Sequence, residues 1–521
     1  MASINNATVE VESGSPSFAV EEAVLFPFDD YSIPFRKDVL MTLIPGSRQP
    51  HEYREGASYD PDHPGEPVLK LGTPGTCDCT EIIFPTILEV EGEYRMWYSA
   101  RGHSSDKVAP CSYAGGPDID VLRRVGYADS KDGLNWEKPK LGLVEYNGTK
   151  ENNLVKVDGS NLWFVAYDPD DDANKRFKMI SIGNLMRLQV HYSADGVNWT
   201  NGKEVGHGIE PGTKPLKFKG WWYVNGQGGP GPMNKTIPHP VDGAAKREMM
   251  TWASYDFERW TLAAVPSFRR DPIPPRPIPD FEWHRGEQVH EGAALWKRGN
   301  VIIGFYGMYH NESNDRCYAT QDIGPVVSQD AMHFREPVPD FKIVRYFEEN
   351  PLGQPGLGAG TKIVQGSFAN IGQRTIHYYS TWEYPARGMV RVATWPRDRL
   401  GFFSAVSKPV FQGQGYKDIP VEPNVISCPL TIKGKNAGVY VNADMLGEYS
   451  QLRVELLDLA FHPIPGYSGK DCLPLSEPGL RQRATWNKGD AVKGIEQPVR
   501  IRVNWEGIRP EDARLYAVYI A

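Results

Sequence analysis

Ser130-Lys-Asp132-Gly133-Leu-Asn-Trp136 decides the fold, because it returns. It comes back as Ser193-Ala-Asp195-Gly196-Val-Asn-Trp199 and as Ser254-Tyr-Asp256-Phe-Glu-Arg-Trp260. A fainter copy is Ser328-Gln-Asp330-Ala-Met-His-Phe334, and a degenerate one is Ala393-Thr-Trp-Pro-Arg-Asp398-Arg-Leu-Gly401-Phe402. The interval is about 60 to 75 residues, the spacing of a propeller or another repeat array. Ser, Asp and Gly make a tight turn through side-chain to backbone hydrogen bonds and a positive φ. The aromatic that follows tucks beneath the turn and is expected to pack against the next sheet.

Strands lead into each turn. Arg124–Asp129, Leu188–Tyr192 and Met249–Ala253 end beside them. Hairpins precede these, such as Pro85–Tyr98 and Pro215–Val224, and Val301–Tyr306 and Thr375–Tyr379 continue the series. Alternation and turn signals mark all of them as strands. The expected fold is therefore all-β, a five-bladed β-propeller over about residues 67–408 with four strands to a blade. A two-sheet sandwich with accidental likeness between its turns is the alternative. After residue 408 the turn motif stops. Gly438–Asp444, Gln451–Asp458, Val499–Asn504 and Ala513–Tyr519 read as strands of a separate β-sandwich over 409–521. Residues 1–66 are Pro-rich and read as an irregular extension wrapping the propeller edge.

Composition agrees with a turn-rich β protein. The 521 residues include 14 Trp, 25 Tyr, 52 Gly and 43 Pro, without a low-complexity tract. The formal charge of −8 and the absence of a Lys/Arg block argue against a nucleic-acid partner. No stretch is long and apolar enough for a membrane span. The first residues lack the basic start and apolar centre of a secretory signal, so a cytoplasmic location is expected if this N-terminus is native. Six cysteines are too few for a disulfide scaffold, and Cys77-Asp78-Cys79 has no second pair to complete a zinc site.

The blade motifs joined to such a tail resemble glycoside hydrolase family 32, the invertase and levanase group, and its propeller relatives in family 43. The resemblance runs from about residue 67 to the end. Tyr94-Arg-Met-Trp-Tyr-Ser99 and Val125–Trp136 carry it, with Val441-Asn-Ala-Asp444 and Arg453–Asp458 in the tail. An Asn-Asp-Pro-Asn run, an Arg-Asp-Pro and a Glu-Cys, the invertase signatures, are absent. What the resemblance implies is the architecture, and acids at the inner ends of the blades around one pocket.

Glycoside cleavage needs two carboxyl groups, one to protonate the leaving oxygen and one to attack or to activate water. The candidates are acids at or just before the innermost strands. Asp78 and Glu81 precede the first inner strand, where the resembling families keep a base or nucleophile. Glu210 precedes the third, at the place of the general acid. His290-Glu291-Gly292 enters an apolar inner strand, where burying both charged groups demands partners. Substrate-binding candidates are Arg101, His290, His310, Arg316, Lys362 and Gln365, with His103 near a sugar ring. Trp97, Trp222 and Trp382 either stack on sugar or belong to the core. Asp168–Asp172 reads as a solvated turn, since the Gly and closing Glu of a calcium loop are missing. No cofactor motif, nucleophile elbow or HExxH occurs, which leaves room only for a structural calcium ion in the channel. The reading is an exo-acting glycosidase on a terminal, furanosidic or other, sugar. Its rivals are a non-catalytic sugar-binding propeller, a glycoside phosphorylase using Arg101, Arg316 and Lys362, and a protein-interaction propeller.

Overall fold

A computed structural model describes residues 8–11, 18–48, 66–102, 123–157, 162–182, 187–207, 210–228, 247–270, 285–313, 318–349, 362–381, 388–406, 421–434 and 437–521. The protein is all-β, with three short 3-10 turns and no α-helix among the described residues. Two compact units form. One joins Met1–Ile44 and Lys297–Ile302 with Trp395–Ala521; the other holds Pro45–Trp296 and Ile303–Thr394.

The second unit carries five antiparallel sheets in chain order. The first is Glu81–Val90, Glu93–Arg101 and Arg124–Ser130. Leu162–Tyr167, Phe177–Ile182, Arg187–Ser193 and Lys203–His207 make the second. In the third, Glu210–Pro211 and Leu216–Phe218 both pair with Trp221–Gly228, and Glu248–Ser254 and Trp260–Phe268 follow. The fourth is Gln288–Arg298, Val301–His310 and Thr320–Ser328, and the fifth Ile363–Ile371, Arg374–Thr381 and Val390–Pro396. The expected four strands are thus found in the second sheet and, with an interrupted first strand, in the third. In the first and fourth the outer edge shrinks to isolated bridges, Gly126 with Leu154 and Asp129 with Glu137 in the one, Ile323 with Val344 and Val327 with Arg335 in the other.

The repeated turns form as the chemistry requires. The Ser130 hydroxyl oxygen accepts the N–H of Gly133 at 2.9 Å, and Asp132 Oδ1 accepts those of Leu134 and Asn135 at 2.9 and 2.7 Å. The Trp136 indole donates to the Gly133 carbonyl at 3.0 Å. The whole set recurs around Asp195, the hydroxyl and carboxylate bonds recur around Asp330, and the Asp256 turn repeats the carboxylate and indole bonds. The left-handed position holds Gly133 and Gly196, but also Phe257 and Ala331, at φ 65° and 66°. Hydrogen bonds on both sides of the residue hold a non-glycine in that strained region. The fifth return does not make this turn. Asp398 instead receives Arg298 Nη2 at 2.6 Å and the Tyr519 hydroxyl at 3.0 Å.

The turn aromatics pack against the preceding sheet, not the next. Trp136 meets Tyr378 of the fifth sheet edge to face, Trp199 joins the cluster around Trp97, and Trp260 the cluster around Ile180. Hydrogen bonds link the sheets in the same sequence. Trp97 Nε1 donates to the Gly196 carbonyl, Lys217 Nζ meets Asp168, and Thr213 Oγ1 donates to the Ala293 carbonyl. Gln321 Nε2 donates to the Ile363 carbonyl, and the Tyr378 hydroxyl returns to the Gly133 carbonyl of the first sheet.

In the other unit, Ala23–Leu25, Val39–Leu43, Gly401–Ala405, Val439–Asp444, Gly479–Arg483 and Arg514–Ile520 form one sheet. Phe35–Lys37, Asn424–Ile426, Gln451–Leu457 and Arg500–Glu506 form a second, and Thr8–Val11, Ala19–Val20 and Leu430–Lys433 a third. Val9, Leu25, Val441, Leu452, Val503 and Val518 share its core. The N-terminal stretch expected to be irregular therefore supplies strands. They are short, and they gain from covering sheet edges that would otherwise stand open.

Candidate active site

The five sheets have two unlike ends. The Ser-x-Asp turns lie at one. Register puts Glu81 opposite Arg101 and Tyr94 opposite Ser130, so the acids at the strand starts lie at the other. There the first strands are irregular in four of the five sheets. Register slips between Ile83 and Thr86, and between Gln365 and Phe368. The third sheet's first strand is interrupted between Pro211 and Leu216. In the fourth, Glu291 and Gly292 take φ of 62° and 66°. Bulges re-aim side chains and free a strand from its partner.

Glu291 is 2% exposed, and its backbone is held from both sides. Its N–H donates to Gln227 Oε1 at 3.2 Å. The Gln365 amide donates to the carbonyls of His290 and Gly292 at 3.2 and 2.8 Å, and Ala293 N–H donates to Asn225 Oδ1 at 2.7 Å. Gly212 must be glycine, since a Cβ there would lie 1.4 Å from the Glu291 carbonyl oxygen. His290 is fully buried, with Nε2 3.4 Å from Glu291 Oε1 and its ring 5.6 Å from that of Tyr309. Arg247 stands over the same Tyr309 ring and donates to Gln288 Oε1 at 2.9 Å.

Glu81 is also buried, at 1% exposure. Arg123 Nε lies 2.9 Å and Arg101 Nε 3.6 Å from its Oε1. Both guanidinium groups thus converge on one buried carboxylate. Asp78 is placed differently. It accepts the Tyr98 hydroxyl at 2.9 Å and Lys138 Nζ at 2.5 Å, inside a buried network with Asn153, and braces the loop.

The remaining candidates scatter. Glu210 starts a strand, and its side chain lies outside the described residues. Arg316, His103 and Trp382 also lie outside them. Gln365, expected to bind a hydroxyl, spends its amide N–H groups on the bulge carbonyls. Lys362 is buried beside it and bridges to Gln321. His310 sits half-exposed on Glu287, which also meets Arg270 at 2.5 Å. Trp97 and Trp222 are core residues. Asp168 and Asp171 pair with Lys217 and Lys178, and among the described residues no cluster of His, Cys, Asp or Glu could hold a metal ion.

Sequence reasoning passed over three groups. Arg123 lies at the edge of a strand and shows no motif. Glu248, 2% exposed, has Arg269 Nε at 3.6 Å and stands one residue from Arg247. Lys214 sits in the interruption of the third sheet's first strand and donates to the Ile87 carbonyl of the first sheet at 3.2 Å. Burial pushes its amine down to about 8.

No protein-family profile matches the chain. Over 138 residues it is 25% identical to the uncharacterized protein Rv1502 of Mycobacterium tuberculosis, a stretch that covers 26% of this chain and 39% of that protein. The chain thus spans about two fifths of the length of the curated relative it matches. Among solved structures it is similar to a chain described with the GH130 family of mannoside phosphorylases, which contains glycoside hydrolases that target β-1,2 mannosidic linkages in Candida mannan. Identity is 15%, coverage 69% of this chain and 97% of that one, and the TM-score 0.41. A glycosyl hydrolase from Bacteroides ovatus gives 14%, 69%, 92% and 0.36 for the same measures. The xylan β-1,4-xylosidase of Bacillus halodurans C-125 gives 9%, 87%, 100% and 0.35.

Proposed function

We propose that the chain is a carbohydrate-active enzyme, a glycosidase in which the five sheets act as propeller blades and the other unit as a β-sandwich. Glu291 is its proton donor and Glu81 its base or nucleophile. The observation that carries this reading is Glu291 itself. A carboxyl group is buried next to a buried imidazole, on a backbone in the left-handed region that three side-chain amides hold in place. Strain over-determined in this way is the mark of a functional position, and burial is what raises a general acid's pKa toward its working range. The sheet-to-sheet bonds, which run through all five sheets and return to the first, favour the blade arrangement. Glu81 is preferred over Asp78 because it opens the inner strand Glu81–Val90, whereas Asp78 lies before that strand in a network with Lys138, Tyr98 and Asn153. A phosphorylase is the second reading, favoured by the paired Arg101 and Arg123 on Glu81.

The test is a panel of aryl furanosides and pyranosides, with and without inorganic phosphate. Aryl alcohol released from one sugar, and lost in both Glu291→Gln and Glu81→Gln, upholds the assignment. Full activity in both variants removes it, and turnover that requires phosphate selects the second reading.

A further inference from the structure

The third sheet departs from the first at its turn end. Both sheets open with the same two-residue hairpin turn: Glu91-Gly92 has φ of 55° and 85°, Lys219-Gly220 of 50° and 83°. Register then pairs Tyr94 with Ser130 in the first sheet and Trp222 with Ser254 in the third. Glu93 and Lys131 therefore occupy the two places that Trp221 and Tyr255 occupy in the third sheet. Glu93 and Lys131 are exposed and charged, so the repeat needs nothing apolar at either place. Trp221 is nevertheless 43% and Tyr255 72% exposed, with ring centroids 5.5 Å apart at 69°.

Charged groups near these rings are held in ion pairs, with two lysines sharing one glutamate. Arg259 Nε meets Asp256 at 2.9 Å, and Lys175 and Lys203 each meet Glu258 at 3.2 Å. The patch itself is two exposed aromatic faces. It is too small for a protein. A fully covered aromatic side chain contributes about 150–250 Å², so two partly exposed rings fall well short of the ~800 Å² that each partner gives a stable protein interface. The size and chemistry fit a sugar ring, whose C–H face stacks on an aromatic while its hydroxyls stay hydrated or meet polar neighbours.

We propose that Trp221 and Tyr255 form a surface platform for an uncharged polysaccharide, separate from the candidate active site. It rests on the reading of the chain as carbohydrate-active. The platform lies at the turn end of the strands Trp221–Gly228 and Glu248–Ser254, whose other end carries Gln227 and Glu248. It would hold a polymer on the enzyme without touching the reacting bond.

The experiment is retardation of the full chain in native gels containing xylan, mannan, arabinan or inulin, run beside turnover on the aryl glycoside panel. The wild type is expected to be retarded by at least one polymer. Trp221→Ala/Tyr255→Ala, and Trp221→Glu/Tyr255→Lys, which installs the first sheet's pair, should weaken that retardation at least tenfold with melting temperature and aryl glycoside turnover unchanged. Glu291→Gln should be retarded like the wild type. Retardation without aryl turnover would count against the glycosidase reading while leaving the platform standing. No retardation of the wild type by any of the four polymers, or equal retardation of the double variants, overturns the platform.

Discussion

The two ends of the five sheets are built by different rules. At the turn end, one set of local hydrogen bonds is written four times, around Asp132, Asp195, Asp256 and Asp330. At the other end no two sheets carry the same groups: Glu81 with two arginines in the first, Glu248 in the third, His290 and Glu291 in the fourth, Lys362 and Gln365 in the fifth. A repeat that must fold alike keeps its turns, and the residues that differ are those at the opposite end of the strands. If the first group answers to stability and the second to the proposed chemistry, mutation will separate them.

The largest effect should come from Glu291→Gln. General acid–base groups are worth about 10²–10⁴ in rate, so turnover should fall by roughly that factor while the melting temperature holds or rises. A fall in stability equal to that of a turn variant would break the contrast. Gly212→Ala should come next. Its Cβ collides with the Glu291 carbonyl, and the bulge must move, at a cost of about 3 kcal/mol in urea unfolding and with turnover reduced as Glu291 is displaced. Asp195→Ala removes the acceptor for Val197, Asn198 and the Asn198 side-chain amide. It should cost about 1–2 kcal/mol and leave turnover alone.

The dependence on pH touches both regions. Burial pushes the Asp132 carboxyl up, but the N–H groups of Asn135 and Leu134 outweigh it and hold it at about 2. Asp195 is lowered by the same balance, burial opposed by the Asn198 N–H. A depressed carboxyl contributes stability that is present above its unfolded value near 4 and lost as pH falls through its folded one. Melting temperature should therefore decline between pH 4 and 2, and less so in Asp132→Asn. His377 acts in a higher window. Burial, then the Arg48 guanidinium, press it down to about 3, so its contribution is lost as pH falls from about 6.5. His377→Phe should flatten that part of the curve.

What was legible in the sequence follows the same division. The Ser-x-Asp turns are made of residues two and three apart, and hydrogen-bond to themselves wherever they stand, so reading them needs no tertiary knowledge. Glu291 stood out because a charged pair entered an apolar strand beside a glycine. Gln365 looked like a ligand-binding amide, and only the neighbouring sheet shows that its partners are backbone carbonyls 73 and 75 residues away. Asp78 looked as available as Glu81 until Lys138, 60 residues on, closed on it. The direction in which the turn tryptophans pack, the Asp398 exception and the strands within residues 8–43 all depend on pairings between distant segments, which no local pattern encodes.

The pairing of Ala23–Leu25 with Arg514–Ile520 bears on how the protein is made. Arg514–Ile520 is also hydrogen-bonded to Val439–Asp444 and Gly401–Ala405, so it lies inside its sheet rather than at the border. That strand is translated after every other strand described. Until it emerges, Ala23–Leu25 lacks its strand partner, although Asn300 can already accept the Val24 N–H. The five sheets between residues 81 and 396 can meanwhile assemble as they emerge. The strands of the other unit that are made first therefore wait longest for a partner strand.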